Sequence, residues 1–124
     1  AMSALAKKHT VRDIEDLRSY VAGLGDYAAS EDFDVSEFAS RVYGFPKLIC
    51  RLAGCSMLAL VFKSVEEGAI YLTERYIRSI GTAAALNELT GFTDCIEAGD
   101  ADAAVQKLTA CMKSQLERYR AQKL

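Results

Sequence analysis

The sequence predicts an all-α fold, an antiparallel bundle of five to seven helices around one core. Three observations carry this. Apolar residues recur at three- and four-residue steps through most of the 124 residues. Helix-capping residues stand at the corners between those runs. No alternating pattern is long enough for a strand.

Residues 1–9 are small and basic (Lys7, Lys8, His9) and are expected to be disordered, with Ala1 before Met2 tag-derived. The domain is then 10–124. Thr10 can cap a helix whose stripe is Val11, Ile14, Leu17, Val21 and Leu24. Asp34 can cap the next, with Phe33 as a staple and Glu37 in capping-box position. That helix carries Val35, Phe38, Val42, Phe45, Ile49 and Leu52. Pro46 lies inside it and predicts a kink or break near Val42–Phe45. After the corner at 53–56, where Ser56 is a cap candidate, one long helix is expected over 57–79. It opens with the apolar run 57–62, which places that end in a core or an interface, with Leu58 and Phe62 as the contact residues. Leu86, Leu89, Phe92, Thr93 and Ile96 form the next stripe. Gly99 can close that helix, and Asp100 can cap the last, which carries Ala101, Val105, Leu108 and Met112 to about Gln122. Residues 86–112 are thus an αα-hairpin with almost no loop.

Length and composition suit one soluble domain: 51% hydrophobic, 26% charged, net charge −2. The charge gives no drive toward nucleic acid, and no apolar run is long enough to span a membrane. Cys50, Cys55, Cys95 and Cys111 have no zinc-type spacing and are expected as reduced thiols in a cytoplasmic core.

The hairpin resembles the C-terminal end of the FCD domain, the effector-binding and dimerisation domain of FadR-type GntR transcriptional regulators. Glu88, Phe92, Asp94, Ile96, Asp100, Ala104, Leu108 and Met112 stand at the family's motif positions. Thr10–Leu17 resembles its T-x-E-D-L helix start, and Ala53–Leu58 its A-G-N-P-L-L corner. The resemblance covers about 10–120. The family domain's first helix and the winged helix-turn-helix domain are not matched, which suggests an isolated domain or an orphan remnant.

In that family one Asp and three His commonly hold a divalent metal. The resemblance puts Val42, Pro46, Leu89 and Cys111 at those places, so neither metal nor cofactor is expected. The only histidine, His9, leaves no support for a Ser/His or Cys/His enzyme. Asp100 and Asp102 read better as helix-start charges than as paired catalytic carboxylates. The resemblance implies an effector in the bundle centre, with Ala39, Val42, Pro46, Arg75, Leu89, Thr93, Cys111 and Gln115 as walls. Two readings stand for that centre, an apolar pocket and a filled core. Arg75 can equally sit with Tyr71, Tyr76 and Arg78 on a solvated face. The expected function is an effector-sensing regulatory domain. The alternative is a ligand-free dimerisation module. The expected partners are a second copy, a small-molecule effector, and DNA only through a domain outside this sequence.

Overall fold

Thr10 opens the first long helix through a reciprocal cap. Its Oγ1 accepts the Asp13 N–H at 3.1 Å, and the Asp13 carboxylate accepts the Thr10 N–H at 3.0 Å. The computed structural model describes residues 2–123, the side chains of Ser3, Ser56, Tyr119, Gln122 and Lys123 excepted. Ala1, assigned to a tag from the sequence, lies outside them. Seven helices follow among the described residues: α1 (Met2–Lys7), α2 (Val11–Ala28), α3 (Val35–Leu52), α4 (Ser56–Ser64), α5 (Glu66–Ile80), α6 (Thr82–Glu97) and α7 (Ala101–Lys123). No strand occurs among them.

Helices α2, α3, α5 and α6 close a ring, each packed on the next, around Leu17, Phe38, Phe45, Ile77 and Ile96. Helix α7 lies outside along α5 and α6. The start of the chain differs from the expectation of disorder. Helix α1 packs on α7, α6 and α3, and Leu5 is 1% exposed. Lys7 and Lys8 hid the signal, because two apolar residues, Leu5 and Ala6, are enough to anchor so short a helix. Val11, assigned to the α2 stripe, is exposed; Ile14, Leu17 and Leu24 make the buried face.

Asp34 caps α3 by accepting the Glu37 N–H at 3.2 Å. The box is half made, since Glu37 turns to Arg41 at 3.0 Å. Phe33 staples the start against Phe38, with ring centroids 5.6 Å apart. Of the kink or break expected near Val42–Phe45, the break does not occur, and α3 runs through Pro46 from Val35 to Leu52. Pro46 offers no N–H to the Val42 carbonyl. On the neighbouring turn the Tyr20 hydroxyl donates to the Arg41 carbonyl at 2.5 Å. It can do so because residue 44 is glycine; a Cβ there would run into that hydroxyl. Burial of Phe45, Leu48, Ile49 and Cys50 holds the helix together past the proline.

The single helix expected over 57–79 is two. Val65, at φ −108° and ψ 11°, separates α4 from α5. The Ser64 hydroxyl turns back to the Val61 carbonyl at 2.8 Å, and Glu66 and Glu67 favour a fresh start through their charge. The bend leaves α4 packed mainly on α3. Phe62 faces inward, edge-on to Tyr43 with centroids 5.8 Å apart. The exposed face is therefore Met57, Leu58, Leu60, Val61 and Val65, so Leu58 lies on it as expected and Phe62 does not; Met57 is 75% exposed. Helix α4 begins at Ser56, so this residue is not the cap.

Helices α3 and α6 both end in Schellman turns. Gly54 has φ 74° and Gly99 φ 73°. Asp100 N donates to the Cys95 carbonyl at 3.2 Å, and Gly99 N to Ile96 at 3.0 Å. The Asp100 carboxylate then caps α7 by accepting the Ala103 N–H at 3.0 Å. The expected α7 stripe is not the buried face, since Ala101 is only half-buried and its other members are exposed. Ala104 is closed off, while Val105, Leu108, Met112 and Leu116 are exposed.

Candidate functional site

Helices α5, α6 and α7 bring four polar side chains together. Tyr76 is buried on the inward face of α5, and its hydroxyl donates to Glu88 Oε1 at 2.5 Å. The Cys111 thiol, from α7, lies 3.4 Å from Glu88 Oε2 and donates to it. One turn on, Gln115 Nε2 donates to Cys111 Sγ at 3.7 Å. Both carboxylate oxygens of Glu88 thus accept from groups on neighbouring helices, a satisfied network at the edge of the core.

Burial, then the nearby Glu88 carboxylate, pushes the Cys111 thiol up to about 11. Burial, then the bond to Glu88, pushes the Tyr76 hydroxyl up as well. Both stay protonated donors at neutral pH. The sign for stability follows. The folded thiol holds its proton more tightly than the unfolded one, whose ordinary value is 9.0. This contribution is complete below pH 9 and is lost as pH rises toward 11. The denaturant midpoint is expected to fall over that interval, and less steeply in Cys111→Ser. Equal slopes in the two proteins would contradict this.

Beside the network lies a cavity of about 340 Å³ between α5 and α7. Leu72, Met112 and Leu116 supply its apolar wall, and Tyr76, Gln115, Arg75 and Arg118 its polar one. Tyr76 and Gln115 belong to both network and cavity. The Arg75 guanidinium donates to the Tyr71 hydroxyl at 2.8 Å and stacks on that ring, while Arg118 donates to Ser79 Oγ at 2.5 Å. The structure thus offers a small concave site with an apolar side, hydrogen-bonding groups and two positive charges.

The eight expected wall residues are not gathered in that cavity. Arg75 and Gln115 line it, and Cys111 joins it through Gln115. Ala39, Leu89 and Thr93 are buried, Ala39 and Leu89 within the main core cluster, and the Thr93 hydroxyl is spent on the Leu89 carbonyl at 3.0 Å. Val42 packs partly against that cluster, and Pro46 is half-buried on α3. Glu88 had only a motif match to mark it, although a lone carboxylate between Leu86 and Leu89 was a signal that it needed partners. Leu116 and Arg118 carried no signal, because packing decides which face of α7 meets α5.

The residues do not fit a metal of the Asp-and-His kind. Val42, Pro46 and Leu89 offer no side-chain donor, and Cys111 is engaged with Glu88. Among the described residues no three His, Cys, Asp or Glu are grouped to hold an ion. Asp94, another motif position, is exposed and ion-paired with Arg18 at 2.8 Å. No helix of the described residues is long and apolar enough to cross a membrane.

No curated protein and no solved structure matches the chain. The FCD domain family matches residues 1–114, a span that includes α1, the Tyr76, Glu88 and Cys111 members of the network, and Leu72, Arg75, Tyr76 and Met112 of the cavity wall. The order of corners, the hairpin at Gly99 and the all-helical bundle agree with that match: the chain belongs to the FCD family, the C-terminal effector-binding domain of FadR/GntR-type regulators.

Proposed function

We propose that this regulatory domain senses a small, partly apolar acidic metabolite in the α5–α7 cavity, without a metal. The observation that carries the reading is the Tyr76–Glu88–Cys111–Gln115 network, which shares Tyr76 and Gln115 with the cavity wall. A ligand contacting those two side chains would reach α5 and α7 directly and α6 through Glu88. That is a physical route from occupancy to the relative setting of three helices. Arg75 and Arg118 favour an anion, and Leu72, Met112 and Leu116 favour an apolar body. The domain is non-enzymatic and cytoplasmic in this reading, and reaches DNA only through a winged helix-turn-helix domain outside these residues. A second copy of the chain covers the α4 face of Met57, Leu60, Val61 and Val65, giving a homodimer.

The experiment is a thermal-shift series with straight-chain monocarboxylates of about four to ten carbons, a range set by pocket size, on protein dialysed against chelator. A ligand at a hundred times its Kd adds about 2.7 kcal/mol. For a domain of this size that is several degrees or more. The shift is expected to survive the chelator and to vanish in Leu116→Trp, which fills the cavity from an exposed position. A shift lost with the chelator, or retained in Leu116→Trp, would count against the site. Burial of Ala39, Leu89 and Thr93 in the centre favours a second reading, a ligand-free dimerisation module. A series in which no carboxylate stabilises the protein would support it instead.

A further inference from the structure

Cys50 and Cys55 sit at the two ends of the Schellman turn that joins α3 to α4. Cys55 N donates to the Cys50 carbonyl at 2.8 Å, Gly54 N donates to Arg51 at 3.1 Å, and Gly54 holds φ 74°. This motif places the side chains at its two ends beside one another. Both residues line the same open cavity, with Tyr20, Lys47 and Arg51 also in its wall. Both thiols are free. Cys50 is 1% exposed, whereas Cys55 is half-buried.

The geometry points to Cys50 and Cys55 as an oxidation site, in which a peroxide converts the two thiols to an intrachain disulfide. A disulfide needs Cα atoms about 4.4–6.8 Å apart. The 2.8 Å bond from Cys55 N to the Cys50 carbonyl ties the two backbones together at the turn, which is the approach a disulfide requires. Cys55, the more accessible, reacts first. Its thiolate attacks one peroxide oxygen, the O–O bond breaks, and the departing hydroxide takes up the thiol proton as water. Cys50 then attacks the resulting sulfenic sulfur, the S–O bond breaks, and a second water leaves with the Cys50 proton. The two thiols have lost two electrons and two protons, and the peroxide has become two waters. The bond fixes the base of α4, the helix with the exposed face of Met57, Leu60, Val61 and Val65. Burial raises the thiols of both Cys50 and Cys111, but Cys111 is also engaged with the Glu88 carboxylate, which makes it the internal control.

The test uses the whole reduced chain, hydrogen peroxide, and alkylation under denaturant. Trypsin cuts after Lys47, Arg51 and Lys63, so the two thiols fall in separate peptides, 48–51 and 52–63. These peptides should be recovered joined, separate again after reduction with a dithiol, and Cys111 should remain alkylated. In Cys50→Ser, Cys55 should persist as a sulfenic acid that reacts with dimedone. Recovery of 48–51 and 52–63 apart and alkylated, at peroxide levels that oxidise Cys95 or Cys111, would overturn the assignment. So would absence of any reaction at Cys55 in Cys50→Ser.

Discussion

Phe38→Ala is expected to destabilise the fold by about 3–5 kcal/mol, the range for truncating a large aromatic in a closed core. Phe38 is 0% exposed on the first turns of α3. It also anchors Phe33, which stacks on Tyr27 at 5.8 Å, and so fixes the corner between α2 and α3. A loss of this size is a large part of the total stability of an ordinary domain. In urea the midpoint should fall sharply. A loss under about 1 kcal/mol would mean that the corner does not depend on this ring, because typical mutations cost about that much.

Val61→Glu is expected to leave the protomer folded and to separate the proposed homodimer. Val61 is about half exposed in the middle of the α4 stripe and contributes little to its own core. A carboxylate buried at a two-fold contact meets its own copy, and both would have to be desolvated. A central interface position of this kind is worth about 2 kcal/mol or more. That is roughly a thirty-fold or greater rise in the dimer Kd. Sedimentation should show monomer mass with a retained cooperative melt. Dimer mass in the variant would place the interface elsewhere. Phe62→Glu should behave differently, because Phe62 packs on Tyr43, whose hydroxyl donates to the Phe62 carbonyl at 2.7 Å.

Helix starts and stops were legible because each rests on a few adjacent residues. Thr10, Asp34, Gly99 and Asp100 all act as their chemistry demands. The misreadings arose where distant packing outweighs local preference. Pro46 stays inside α3 because its neighbours are buried, and α1 forms because Leu5 has a place to go. Residues 57–62 are apolar throughout, and Lys63 and Ser64 also suit the solvated face of a continuing helix, so periodicity alone could not reveal the break at Val65. The site was legible in part. Of the eight wall residues that the resemblance suggested, Arg75, Cys111 and Gln115 belong to the network or the cavity, and the other five do not. That the network centres on Glu88 depends on α5, α6 and α7 meeting, which no short stretch of sequence encodes.

The most direct test of sensing in the α5–α7 cavity is amide chemical-shift mapping, using the monocarboxylate that stabilises the chain most. The expected result is that the largest changes fall at residues 72–76 and 112–118, with smaller ones reaching α6 at Glu88. Changes centred on Ala39, Leu89 and Thr93, or on residues 47–59, would contradict it.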